Sequence, residues 1–438
     1  MVNFLPVNRF ESILNMENSK QEKNFRHNFV VNVLDGGFFG LGMGFGSLST
    51  VLPLFISLMT DSAILIGLIP AIHVVGWQLP QLFTARHVAR QRRQKPMVMF
   101  RTVQERLPFF GLALIAWFLP KIGPQIALGL SFGMLVWQGL GGGFTATAWQ
   151  SMVGKIIPGD RWGIFFGVQS AAASLFASVS AILAGIILER VASPVNYAIC
   201  FLLTTGAMAI SWILLNQTRE EESPTGPTND SNAGYWRSLI TIMKKDKNFR
   251  RFIMVRILAQ IATMGFAFYT VYAVRYYGIG EGTAGVLTAV LTMIQTISNP
   301  LMGWLGDRWS HRGVMGVGIL AAIASTALAW ISPGVGWFYL VYGLAGVANV
   351  AVWTITMAMT LEFGSVAERP AYIGLANTLI APTAFLIPLF GGWLADMAGY
   401  QTTFMTSVLG GLVTLGVIVF LLRDQRKIND GIITEQPT

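Results

Sequence analysis

A few ionisable residues interrupt long apolar runs, and they carry most of the chemistry this chain offers. Asp35 follows Val30-Val31-Asn32-Val33-Leu34, and Arg101, Gln104, Glu105 and Arg106 lie close together before Leu107-Pro108-Phe109-Phe110. Arg256 and Gln260 sit in a similar run, and His73 stands among Ile72, Val74 and Trp77. A charge in apolar surroundings costs several kcal/mol unless it is paired, so each marks an ion pair or a group that exchanges protons. Arg101 and Glu105 are four apart and face each other along a helix, as a static pair would. Two readings stay open for Asp35: a structural ion pair, or a carboxyl that loads and releases a proton. Glu105 and His73 are the other proton-coupling candidates, since imidazole titrates near neutrality. The plainer alternative for His73 is a packed core histidine.

A second set is uncharged. Trp77, Gln78, Gln138, Trp149, Gln150, Gln169, Tyr269, Tyr272, Gln295, Asn299, Asn349, Trp353 and Asn377 all fall toward the middle of apolar segments. Stacking surface with amide donors suits a small, neutral or weakly polar organic solute. A strongly anionic one would call for an arginine at the same depth. Amides also bond helix to helix, so only part of the set is expected to touch a solute. Trp149 and Trp353 lead it. There is no H-E-x-x-H, G-x-S-x-G or P-loop, and the 4 histidines lack ligand spacing. No enzyme activity, metal or cofactor is expected.

The elements that must hold these residues follow from composition. Of 438 residues 53% are hydrophobic and only 12% charged, about half the charged share of a soluble domain. Apolar runs of helical length predict twelve transmembrane helices near 29–57, 62–84, 97–119, 125–148, 163–188, 197–215, 250–277, 283–305, 314–332, 335–361, 371–395 and 402–422. All Lys and Arg except Lys121, Arg190 and Arg275 then fall on one side, which sets both termini in the cytoplasm of an integral plasma-membrane protein. In a bacterium that is the inner membrane. The net charge of +9 is thus a topology signal and not a nucleic-acid footprint. Residues 1–27 lack a signal-peptide core, so the first helix is expected to stay uncleaved. The lone Cys200 permits no internal disulfide.

The expected division is a tail at 1–27, a six-helix bundle at 28–216, a link at 217–248, a second bundle at 249–422 and a tail at 423–438. Glu220 to Pro227 reads as flexible chain, and Tyr235 to Lys247 as an amphipathic helix on the inner membrane surface. The halves repeat. Gly139-Leu140-x-Gly142 with Trp149 returns as Gly343-Leu344-x-Gly346 with Trp353, and Gly167, Gly185 and Glu189 return as Gly374, Gly392 and Asp396.

Between two uncharged runs lies Gly303-Trp304-Leu305-Gly306-Asp307-Arg308-Trp309-Ser310-His311-Arg312. Its glycines lie on one helix face and let another backbone approach. The stretch resembles the cytoplasmic loop signature of the major facilitator superfamily, the large family of secondary transporters, in its position between the eighth and ninth helices. The resemblance covers residues 28–422 and implies an all-α polytopic membrane protein, twelve helices in two six-helix pseudo-repeats around one cavity. It implies alternating access with a small-molecule substrate in a lipid bilayer, with a proton as candidate coupling ion, in a monomer. The first-half counterpart, Gln81 to Arg93, keeps Arg86 and Arg90 but has Gln81 for glycine and Ala85 for the acid. The fourth-helix arginine is Leu135, and the fifth-helix kink is replaced by Ser180–Gly185 without proline. A Pro-x-x-Gly-Gly run stands instead at Pro388–Gly392. These departures separate the chain from the well-patterned drug/proton antiporters and leave uptake against export open. Gate contacts are expected from Asp307 and Arg308, in the loop that Gly303 opens and Arg312 ends, to Gly159-Asp160-Arg161, and from Arg86 and Arg90 to Glu368-Arg369. A lipid or lysolipid flippase and a multidrug exporter on the same fold are the alternatives.

Overall fold

The computed structural model describes residues 7–223, 232–279 and 281–431; residues 224–231, with Pro224 and Pro227 of the expected link, lie outside the described residues. The described chain is helical throughout. The first half runs α1 (Val7–Phe45), α2 (Val51–Ser57), α3 (Ala63–Gln78), α4 (Gln81–Ala89), α5 (Lys95–Ile122), α6 (Pro124–Ile156), α7 (Trp162–Arg190) and α8 (Val195–Leu215). A short α9 (Asn232–Lys245) precedes the second half. That half runs α10 (Lys247–Ala262), α11 (Tyr269–Tyr277), α12 (Glu281–Arg308), α13 (His311–Ile331), α14 (Gly336–Val350), α15 (Thr356–Thr360), α16 (Arg369–Thr378), α17 (Ala381–Ala398), α18 (Tyr400–Gly416) and α19 (Gln425–Asn429).

With α3–α4, α10–α11, α14–α15 and α16–α17 each counted as one crossing, these elements make the twelve-helix architecture. Ten of the crossings are long and apolar enough to span a bilayer on hydropathy alone. The two others are α1 and α5, whose apolar runs are interrupted by Asp35 and by Arg101, Glu105 and Arg106. Outward faces carry large apolar side chains such as Phe100, Ile182, Met397 and Phe420, the surface a lipid environment accepts.

Several crossings are broken, and each break has a local cause. The first apolar run does not continue as one helix to residue 57. It stops at Phe45; beyond it the Ser47 hydroxyl accepts from the Ser49 amide at 3.3 Å, and Gly46 packs on Phe109 and Thr204, where a Cβ would lie 2.9 Å from each. At α3–α4 the interruption is Pro80, which lacks the N–H that would continue the ladder. In the tenth crossing a π-helical turn at Ala351–Ile355 joins α14 to α15, and the Thr356 hydroxyl donates to the Val352 carbonyl inside it. Such turns insert a residue and re-aim the side chains beside them.

The halves meet at the end of the bundle that carries the basic loops. There α7 crosses α12 and α4 packs on α16. Helix α9 lies under both: Leu239 is buried with Phe249 and Phe252, while the Tyr235 hydroxyl donates to the Leu82 carbonyl at 3.3 Å. Burial pushes the Tyr235 phenol up to about 12, so it remains a donor at neutral pH. Trp236 and Ile240 point outward.

Candidate functional site

A cavity of about 370 Å³ opens between the halves at mid-depth. Its wall is unequal. Asp35, His73, Trp77, Gln78, Glu105, Arg106, Trp149 and Gln169 come from the first half, whereas Trp353 and Met357 are the second half's contribution. Trp353 belongs to the π-helical turn and is 45% exposed.

Asp35 pairs with Arg106, not with a group on its own helix. Arg106 Nη2 lies 3.4 Å from Asp35 Oδ1, and the Ser211 hydroxyl donates to the same oxygen at 2.6 Å. The guanidinium also donates to the Met208 carbonyl (3.3 Å) and lies 5.4 Å from the centre of the Phe39 ring. The expected Arg101–Glu105 pair does not form: Arg101 donates to the Phe144 carbonyl at 3.1 Å. Glu105 is 8% exposed, lines the cavity, and has no hydrogen bond or ion pair among the described residues. His73 Nδ1 lies 2.9 Å from Gln138 Oε1, so Gln138 stands behind the wall as a support. Gln169 donates to the Asn32 carbonyl at 2.9 Å, and Trp149 meets Phe166 edge to face.

Other residues of the amide and aromatic set lie elsewhere. Tyr269 and Tyr272 pack into an aromatic core with Phe338 and Phe404, away from the cavity, and the Tyr269 hydroxyl contacts Ser325 and Thr326. Asn299 donates to the Gln295 carbonyl (2.9 Å) and accepts from Thr354 (2.6 Å). Asn349 is half-buried on α14. Asn377 donates to Gln81 Oε1 at 2.7 Å and accepts from Arg256 at 3.1 Å, while Gln150 donates to the Met357 carbonyl at 3.1 Å. These last two tie the halves together on the basic side of the cavity. Thr102, Thr145, Phe39, Phe166 and Ser170 also line the cavity. Their types are too common in apolar spans to have signalled it.

The closure at the basic end rests on backbone. Asp307 accepts from the Gly163 and Ile164 amides at 2.8 and 2.6 Å, the free donors at the start of α7. A Cβ on Gly303 would sit 2.1 Å from the Gly163 carbonyl oxygen. Gly306 instead makes room for the His311 ring of its own hairpin. Around Asp307 stands a buried group that the sequence did not reveal. His311 Nδ1 is 2.6 Å and Arg426 Nε 2.9 Å from Glu362 Oε1, and Arg426 Nη2 is 3.2 Å from Asp307. His311 Nε2 lies 3.3 Å from Asp307, close but without hydrogen-bond alignment.

The remaining gate residues differ in detail from expectation. Arg308 stacks on Trp304, and Arg312 donates to the Ile418 and Val419 carbonyls. Arg161 lies over Phe25. Glu368 accepts from Ser365, so the bond across the halves is made by Arg369, which donates to the Gly154 carbonyl at 2.9 Å and covers the Trp162 ring. Arg86 lies against the Tyr235 ring, and Arg90 ends α4. The hydrogen bonds of Leu82 with Thr378, Gln150 with Met357, Asp307 with Gly163, Thr354 with Ser170, Arg369 with Gly154 and Asn377 with Gln81 join the halves at the cavity or on its basic side.

Comparison with known proteins agrees with this architecture. The class B tetracycline resistance protein of Escherichia coli is 24% identical over 151 residues, 34% of this chain and 37% of that one. The probable vesicular acetylcholine transporter-B of Danio rerio is 30% identical over 122 residues, 28% of this chain and 25% of that one. The matched stretches thus span well under half of these relatives. The transporter FucP in its outward conformation superposes with a TM-score of 0.73 at 15% identity, covering 91% of this chain and 99% of that one, a likeness of fold. The family model described as Major Facilitator Superfamily matches residues 105–275 and 259–436, and the chain belongs to that family of membrane transporters.

Proposed function

We propose that this chain is a secondary active transporter that carries a small, neutral or weakly polar organic solute through the central cavity by alternating access. The observation that carries the reading is the closure between the halves. The backbones touch at Gly163 and Gly303, and one carboxylate, Asp307, sits on the free amides of α7. Such contacts separate without unfolding either bundle, as a rocking motion of two rigid halves requires. The rigid units are residues 28–216 and 249–422, joined by 217–248. The basic end faces the cytoplasm, together with both termini, and one chain suffices for transport.

A proton is the coupling ion. Asp35, Glu105 and His73 all border the cavity, and of the three Glu105 is the one without a fixed partner. Export of drugs is the second reading, supported by the relative named for tetracycline resistance and by the aromatic wall. Reconstituted protein tests the transport reading and its proton coupling. Solute flux in proteoliposomes should follow an imposed pH gradient and vanish when the gradient is collapsed. Flux of labelled lipid between leaflets, with no solute flux, would refute the solute reading in favour of a flippase.

A further inference from the structure

The cavity wall is acidic on balance, and its surplus acid has a particular setting. Arg106 is held by Asp35, Ser211 and the Met208 carbonyl. The second carboxylate on the wall, Glu105, has no such bond, although it is more than nine-tenths buried. It faces the cavity over Gly142, where a Cβ would lie 2.8 Å from Glu105 Oε1 and 3.1 Å from Trp77 Cδ1. The missing side chain at 142 is therefore what lets the carboxylate and the indole converge. Trp149, seven residues on along α6 and so on the same face, borders the cavity as well, and Trp353 enters it from the other half.

We infer that Glu105, Trp77 and Trp149 form a subsite for the positively charged end of an organic cation, an amine or onium ion whose apolar body lies against Trp353. This rests on the transport reading above and departs from the neutral solute in one respect, the charge. A carboxylate beside indole rings offers a cation both a counter-charge and aromatic surface. A metal ion finds little here. Hard cations require several oxygen ligands, and beside Glu105 lie the Trp77 ring and Gly142, with the Thr145 hydroxyl committed to the Gly141 carbonyl at 2.9 Å and the Asp35 carboxylate to Arg106 and Ser211. The charged groups nearest Glu105 are Arg106 and Asp35, which are occupied with each other.

The test is equilibrium binding to the full chain in nanodiscs, corrected with empty discs. The probes are benzyltrimethylammonium and tetraphenylphosphonium, with tetraphenylborate as the anion of the same shape as the latter. The expected result is saturable cation binding at least tenfold tighter than borate. Glu105→Gln should weaken it tenfold or more, and Glu105→Asp should retain most of it. The inference is overturned if borate binds as well as phosphonium, if neither cation binds, or if Glu105→Gln changes cation affinity less than twofold. The comparison of the two ions in the unaltered protein stands even where a variant fails to fold. Failure of cation binding in a protein that still carries a neutral solute removes the charge assignment alone. Failure of the two mouths to exchange accessibility removes the transport reading, and this inference with it.

Discussion

Gly163 and Gly303 meet backbone to backbone across the two halves: a Cβ on Gly163 would lie 2.4 Å from the Gly303 carbonyl oxygen, and one on Gly303 2.1 Å from that of Gly163. Neither distance leaves space for a side chain, and in each case the obstacle is main chain. The closed basic end therefore requires glycine at both positions.

Gly303→Val should shift the protein toward the form open at the basic end. With Met357→Cys as a reporter on the cavity floor, maleimide applied from the basic side should react at least tenfold faster than in the Gly303 parent. Cys200 is buried and contributes little background. Unchanged labelling would mean that the contact does not hold the gate.

Asp307→Asn removes the charge from the α7 amides and from Arg426, which lies 3.2 Å away. The closed form should lose about 1.5–3 kcal/mol, the range of hydrogen bonds to charged groups. Arg426→Ala should have a smaller effect in the same direction, and the two changes should be non-additive. Reporter accessibility in the single and double variants measures the coupling.

Asp35→Ala leaves the Arg106 guanidinium buried without its counter-charge. Removing one partner of a buried pair costs ~3–5 kcal/mol, which should lower Tm in detergent by about 10 °C. Asp35→Asn combined with Arg106→Gln should recover much of that loss. Glu105→Gln, which breaks no ion pair, should change Tm little. Equal losses at 35 and 105 would contradict the assignment of one acid to structure and the other to the cavity.

Tyr235 ties α9 to Leu82 at the other half through its phenol. Burial raises this phenol from its ordinary 10 to about 12, so the folded state holds the proton more tightly than the unfolded one. Its contribution is complete below pH 10 and lost as pH rises through 12, with no change between pH 6 and 9. Tyr235→Phe should loosen α9 across that whole neutral range, measured as faster amide exchange in α9. A loosening confined to one part of it would point to another group.

How much of this was legible in the sequence depended on contrast with the apolar background. The long uncharged runs and the Gly303–Arg312 stretch stand out against that background, so the crossings and the hairpin that joins α12 to α13 could be read directly. Facing could not. Lipid and helix interface are both apolar, so hydrophobic periodicity does not tell which side of a crossing looks inward. Tyr272 and Trp353 were both solute candidates, with Trp353 placed ahead, and one packs on Phe404 while the π-helical turn aims the other into the cavity. The Asp35–Arg106 pair and the His311–Glu362–Arg426 group join residues far apart in the chain, and no local spacing encodes them. Arg101–Glu105 shows the reverse error, a favourable spacing on one helix that the neighbouring Phe144 carbonyl overrides.

The central claim is that two rigid halves open one cavity to alternate ends, and paired spin-label distances test it most directly. One pair, Arg93→Cys with Val366→Cys, reads the basic end; the other, Lys121→Cys with Met397→Cys, reads the opposite end. All four positions are exposed. Gly303→Val should lengthen the first distance and shorten the second within the same sample. Distances that stay fixed, or that lengthen together, would contradict alternating access.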